Sequence, residues 1–197
     1  MLTRMLTRIL GVFALTLALL TTEATAVDIK DPENTLVIAL ENGEVVIELL
    51  PDVAPQHVER IKQLTRDGQY DNVAFHRVIE GFMAQTGDVQ FADMEDGFEP
   101  RRAGTGGSDM PDLPAEFSSV PFDRGMVGMA RSQNPNSANS QFFIMFEDGH
   151  FLNGQYTVFG RVLSGMELVD NIKRGEGRSG AVTDPDRMMK VEVAADR

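Results

Sequence analysis

The chain has 197 residues, 42% hydrophobic and 24% charged, with a formal net charge of -12 and no cysteine. Such values belong to a globular protein, and the length suits one domain, alone or with a processed segment. The acidic balance argues against a nucleic-acid partner and against docking on anionic lipid, and an exported form would need no disulfide.

Residues 1–26 read as a secretory signal peptide. Arg4 and Arg8 make a positive start, ILGVFALTLALL is a 12-residue apolar run, and Ala24-Thr25-Ala26 is a small-x-small cleavage site. A retained membrane anchor is the alternative, but twelve helical residues span about 18 Å against a hydrocarbon core of roughly 30 Å. A lipid anchor would need a cysteine. The expectation is cleavage after Ala26, a single mature domain at 27–197, a periplasmic or secreted location and no stable membrane association. Losing Arg4, Arg8 and Glu23 moves the net charge from -12 to -13.

Residues 35–40 (TLVIAL) and 44–50 (EVVIELL) are β-branched runs around Glu41-Asn42-Gly43, a hairpin signal because Asn-Gly tolerates the positive φ of a tight turn. A helix is expected over 54–66, with Pro55 in its first turn, Val58, Ile61 and Leu64 on one face, and Gly68 as a stop. Strands follow at 73–79 and 82–86. Residues 87–125 are dense in Gly, Pro and Asp and read mostly as loop, with AGTGGS (103–108) its most flexible part. Strands return at 125–131, 141–146 and 157–163. Ser164-x-x-Glu167 has the form of a capping box opening a second helix over 165–173, and a strand at 188–194 ends the pattern. About eight short strands and two helices point to a mainly β fold, a sandwich or a barrel. A closed barrel would expose no edge and let two helices plug its ends. Pattern alone does not choose between them.

Nucleophiles and metal ligands are scarce. The serines lie in no Gly-x-Ser-x-Gly elbow, and Ser140 has no His–Asp pairing nearby in sequence. His57, His76 and His150 lack ligand spacing, so no metal is expected. The glycines at 104–107 lack the Lys and the strand-to-helix setting of a phosphate loop. Two segments remain, FHRVIEGFMAQTGD (75–88) and MARSQNPNSANSQFF (129–143). Together they offer an apolar floor (Phe82, Met83, Phe143, Leu152), one fixed cation (Arg77) and an amide (Gln85). That composition suits a ligand pocket. It suits equally an aromatic core beside a surface arginine. Alternation along a strand sets His76 on the face opposite Arg77, which gives it a structural place.

FHRVIEGFMAQTGD resembles the signature of the cyclophilin-type peptidyl-prolyl isomerases, Phe-His-Arg-(Ile/Val)-x-x-Gly-Phe-Met-x-Gln-x-Gly-Asp. The likeness continues through Gly104-Thr-Gly-Gly107, Gly128-Met129-Ala130, Asn139-Ser140-Gln141-Phe142-Phe143-Ile144, Leu152-x-Gly154 and Val158-Phe159-Gly160-x-Val162. It implies a closed eight-stranded antiparallel barrel capped by two α-helices, acting on proline-containing polypeptides without a cofactor. A monomer is the default expectation. By resemblance Arg77 is the catalytic arginine, and Phe82, Met83, Phe143 and Leu152 form the wall of the proline pocket. Gln85 orients the substrate backbone, Gln141 is a further polar pocket residue, and Ala130 lines the groove. Arg131 stands where many members have an asparagine, Phe151 where cyclosporin-sensitive members have a tryptophan, Tyr156 in place of a histidine, and Thr86 in place of a glycine. These changes imply weak cyclosporin binding with isomerisation retained. Two alternatives stay open: a proline-peptide binding module without useful catalysis, and an unrelated hydrolase on a β-barrel.

Overall fold

The computed structural model describes residues 28–197, and the expected signal segment lies outside them. The elements run β1 (Thr35–Leu40), β2 (Gly43–Leu49), α1 (Pro55–Arg66), β3 (Val73–Ala74), β4 (Arg77–Ile79), β5 (Met83–Thr86), β6 (Met126–Met129), β7 (Phe142–Met145), β8 (Val158–Ser164), α2 (Met166–Asp170), β9 (Arg187–Met188) and β10 (Lys190–Val193). Eight strands form one antiparallel sheet in the order β10-β1-β2-β8-β6-β7-β5-β4. Its inner face carries Leu36, Ile38, Val45, Ile47, Val127 and Ile144, all buried. Among the described residues no helix is long and apolar enough to cross a membrane.

The expected closed barrel is overstated. No ladder joins the two edge strands, β4 and β10. Each continues instead into a two-residue strand, and β3 and β9 pair as a separate patch across the seam. The expected strand at 73–79 is therefore two strands, broken at Phe75-His76. The Phe75 amide donates to Asp186 and the His76 carbonyl accepts from Val182, so the chain turns from one partner to another there.

β1 and β2 pair from Thr35↔Glu48 to Leu40↔Gly43, leaving Glu41-Asn42 as the turn. Gly43 carries the positive φ, at 148°, and a Cβ there would come within 2.9 Å of Leu168. α1 buries Val58, Ile61 and Leu64 and packs against β10 and β8. Its first residue is the expected Pro55, but Ala54 at the cap offers no side-chain acceptor. Glu116 supplies one from far along the chain, taking the Gln56 and His57 amides at 3.1 and 3.2 Å.

The expected capping box is absent. Ser164 is the last residue of β8, paired with Val46. Gly165 caps α2 with φ 83° and no side-chain bond, because a Cβ there would lie 2.4 Å from the Glu44 carbonyl oxygen. The helix is also only five residues long, against nine expected over 165–173.

Residues 87–125 hold no helix and no named strand, as expected. Their stretch 103–108 is nevertheless tied down: the Gly104 and Gly106 amides donate to Asp88 at 2.7 and 3.0 Å. The Ser108 amide and hydroxyl donate to Asn139 Oδ1 at 2.8 and 2.7 Å.

Candidate functional site

One row of residues crosses four strands. Arg77 on β4 faces Gln85 on β5, Gln85 faces Phe143 on β7, and Phe143 faces Gly128 on β6. Directly paired residues project from the same face of a sheet, so the row is a continuous strip, polar at one end and aromatic at the other.

Gly128 makes the aromatic end possible. A Cβ at that position would sit 2.5 Å from Phe122 and 2.7 Å from Phe143. In its absence the two rings stack, with centroids 5.7 Å apart and planes at 23°. With Met83, Met145, Leu152 and Val158 they form an apolar cluster separate from the main core. Phe82, Ala130 and Tyr156 pack on it half-buried. Tyr156 meets Phe143 edge-on at 5.9 Å, and Phe151, 65% exposed, leans on Phe82 at 5.5 Å. Arg131 lies over the Tyr156 ring at 4.3 Å and donates to the Gln155 carbonyl at 2.8 Å. Its guanidinium is thus folded onto the pocket rim.

At the polar end Arg77 is half-buried and tethered twice, Nε to the Ser179 carbonyl and Nη1 to Gln85 Oε1, each at 3.0 Å. Nη1 also lies 3.9 Å from the Met83 sulfur, which sets the cation against the apolar cluster. Nη2 has no hydrogen-bond partner among the described residues. Burial pulls the Arg77 pKa below its ordinary value, yet an arginine remains protonated in proteins. Gln85 Nε2 donates to Gln141 Oε1 at 2.9 Å, and Gln141 Nε2 to the Gly106 carbonyl at 2.8 Å. Past the two glutamines opens a cleft of about 530 Å³ between residues 104–108, Ala130, Arg131 and Asn139. A cleft of about 510 Å³ between the β1–β2 turn, α2 and β9 contains none of the residues singled out from the sequence.

All eleven residues singled out fall at this one place, on β4, β5 and β7, in the turn before β5, or in the short segments next to β6, β7 and β8. Reading the sequence missed Phe122 and the Ser179 and Gly106 carbonyls, and quoted Gly128 within a motif without giving it a role at the site. Phe122 lies in the stretch read as loop, and the carbonyls carry no side-chain signal at all.

The other groups weighed from the sequence have structural places. His76 is buried, and the position a Gly104 Cβ would take is 3.1 Å from its ring. Burial lowers its pKa, against the pull of Asp88. The Ser140 hydroxyl is fully buried and donates to the Gly87 carbonyl at 2.7 Å. The glycines at 104–107 do cradle an anion, but it is the chain's own Asp88. His150 lies at the surface, 2.7 Å from Asp123 and close to Asp148, and the Asp123 hydrogen bond raises its pKa.

Comparison with known proteins agrees with this geometry. The model of the family described as cyclophilin type peptidyl-prolyl cis-trans isomerase matches residues 35–193. A Brucella suis protein named as a probable peptidyl-prolyl cis-trans isomerase is 65% identical over 167 residues, 84% of this chain and 85% of that one. Peptidyl-prolyl cis-trans isomerase B of Escherichia coli is 39% identical over 148 residues, 71% of this chain and 84% of its own. Among solved structures, a cyclophilin from Hirschia baltica superposes with a TM-score of 0.71 at 26% identity, covering 85% of this chain and 76% of that one. A Cryptosporidium parvum cyclophilin crystallised in the presence of the dipeptide Ala-Pro gives 0.68 at 27% identity, covering 81% and 98%. The chain therefore belongs to the cyclophilin-type peptidyl-prolyl cis-trans isomerases, enzymes of the rotamase class.

Proposed function

We propose that this isomerase rotates Xaa-Pro bonds in exported polypeptides as they fold, by hydrogen bonding from Arg77 to the proline nitrogen in a desolvated apolar pocket. Resonance across the C–N bond gives an amide rotation barrier of about 18–20 kcal/mol. In the twisted amide that resonance is lost, and the nitrogen recovers a lone pair that can accept a hydrogen bond. A donor aimed at it stabilises the twisted state over both planar forms, which is what accelerates the reaction. No covalent step, metal or cofactor enters this scheme.

The observation that carries this reading is the pattern of tethers on Arg77. Nε and Nη1 are occupied, Nη1 lies against the Met83 sulfur of the apolar pocket, and Nη2 has no partner among the described residues. Met83, Phe122, Phe143 and Leu152 supply the apolar seat for a proline ring, with Phe82 and Phe151 at its lip. Gln85 Nε2 has two hydrogens and gives one to Gln141, so the second serves the substrate backbone, as do the groove residues Ala130 and Arg131. An acceleration of about 10⁴–10⁵ needs only about 5.5–7 kcal/mol, within reach of one aimed donor plus desolvation.

The test is prolyl cis/trans exchange on an Xaa-Pro peptide, followed by NMR, for the wild type and Arg77→Ala. The expected result is a loss of roughly 10²–10³-fold in exchange with peptide binding kept. Undiminished exchange in the variant rejects the arginine mechanism. Binding without acceleration by the wild type would make the domain a peptide-binding module. The exported setting rests on the N-terminal pattern, and the monomer is the default expectation. Sequencing the N-terminus of protein from the cell envelope should begin at Val27, and its mass in solution should be that of one chain.

A further inference from the structure

The polar end of the site has a direction. Arg77 bears only N–H groups and can only donate, and the Gly106 carbonyl can only accept. Two glutamine amides stand between them, each able to turn either way in isolation. Only one arrangement satisfies all three links. Gln141 must give its NH₂ to Gly106, which turns its Oε1 toward Gln85. Gln85 must then give NH₂ to Gln141 and Oε1 to Arg77. The links measure 2.8, 2.9 and 3.0 Å. The orientation of Gln85 is thus fixed from both ends, and the Gly106 carbonyl orients Gln141, the amide that accepts from Gln85.

Gly106 is in turn set by Asp88. This carboxylate is fully buried and has no cationic partner among the described residues. Its Oδ1 accepts the Gln90 and Phe91 amides at 3.1 and 3.0 Å, and its Oδ2 accepts the Gly104 and Gly106 amides at 2.7 and 3.0 Å. Four backbone N–H groups hold one carboxylate, and the bond to the Gly106 N–H anchors the residue whose carbonyl, in the following peptide, meets Gln141. The fit admits no side chain, since a Cβ at 106 would lie 2.5 Å from Asp88 Oδ1 and 2.7 Å from Phe91.

We propose that Asp88 is a positioning residue for isomerisation. Through Gly106, Gln141 and Gln85 it holds the Arg77 guanidinium in the plane from which Nη2 reaches the substrate. This rests on the assignment of Arg77 as the donor to the proline nitrogen. Asp88 touches no reacting atom. Its influence passes through the two amides, and cutting either one isolates it.

The experiment is a double-mutant cycle on the full-length enzyme with Asp88→Asn and Gln141→Met. Readouts are kcat and KM for prolyl exchange, thermal midpoint, and the NMR signal of the Arg77 Nε–H. Asp88→Asn keeps the size of the side chain but turns an amide NH₂ against backbone N–H groups. Alone, it should lower kcat by roughly 10–100-fold, the scale on which misplaced catalytic groups act, with KM little changed and the Arg77 Nε–H signal shifted. In the Gln141→Met background it should lower kcat no further, because coupled residues are not additive. Equal losses in both backgrounds, or wild-type kcat in Asp88→Asn, would overturn the proposal. If Asp88→Asn does not fold, Gln141→Met is read alone, and wild-type kcat there removes the path from Asp88 to Arg77. Arg77→Ala separates the two readings. Unchanged exchange in that variant rejects the arginine assignment itself, whereas its loss beside an active Asp88→Asn rejects only the role of Asp88.

Discussion

The hairpin side of the sheet and the site side are built by different means. β1, β2 and β8 are 6, 7 and 7 residues long, and β1 and β2 turn branched apolar residues such as Ile38 and Ile47 inward while β8 adds Phe159. Backbone ladders and burial hold that side together. β4, β5, β6 and β7 have only 3 or 4 residues each. Around them side chains also hold backbone, with Asp88 gathering four amides and Glu116 closing the start of α1. Asn139 both accepts from Ser108 and donates to the Met110 carbonyl. The difference teaches a division of labour. Long ladders carry the regular side, and polar side chains bonded to backbone supplement short ladders on the other.

Substitutions can break that division or sharpen it. The largest expected effect is on the hairpin side. Ile47→Ala, at a position with 0% exposure, should destabilise by about 4 kcal/mol in urea unfolding, with kcat per folded molecule unchanged. A loss of kcat there would show that the two sides are not separable. Next is Glu116→Ala, which removes the α1 cap and leaves the buried His57 ring, now 2.7 Å from the carboxylate, without its partner. About 1 kcal/mol for the cap and about 2 for the stranded donor give about 3 kcal/mol, again read by unfolding. Gly128→Ala acts on the site side. Forcing Phe122 and Phe143 apart should cost about 1–3 kcal/mol and, unlike the first two, weaken peptide binding in a titration.

A smaller effect follows from pH. Burial lowers the His57 pKa from its ordinary 6.5, against the pull of Glu116. Burial pushes Glu116 up, but hydrogen bonds from His57 and Gln56 outweigh it and bring the carboxyl below its ordinary 4.5. In both cases the unfolded chain takes up a proton before the folded one does. The stability they contribute is present above those ordinary values, and is lost first through His57 as pH falls below 6.5, then through Glu116 below 4.5. Thermal midpoints of wild type and His57→Gln should converge on acidification; parallel curves would reject the linkage. Smallest is Phe151→Ala. With 65% of this residue exposed, stability should move by less than about 0.5 kcal/mol, while KM for a proline peptide rises.

The same division explains what could be read from sequence. β1 was legible to the residue and α1 to within one, because their apolar periods and the Asn-Gly and Pro signals are local. The interior of residues 87–125 was not, because its geometry depends on bonds such as Asp88 to Gly106 and Glu116 to Gln56, which join residues 18 and 60 positions apart. Ser164-x-x-Glu167 misled because a local helix signal lost to strand pairing with Val46. At the site, composition alone left Arg77 between pocket and surface. Its place came from the resemblance of an extended motif, and that motif does not extend to Phe122 or to a carbonyl.

The break in the sheet at β4 leaves Arg77 on an edge strand, beside the groove proposed to receive polypeptide. An open edge there would be a template for strand addition, on which a client chain could lodge rather than pass through. The segment around residues 175–182 already occupies it. The Val78 amide donates to Gly180 at 2.8 Å and the Val78 carbonyl accepts from Gly175 at 2.9 Å. Gly180 fits against Ile79 only because it has no Cβ, which would come within 2.4 Å of that side chain. The strand that presents the arginine is sealed against strand addition, which in the proposed scheme leaves binding to the pocket alone.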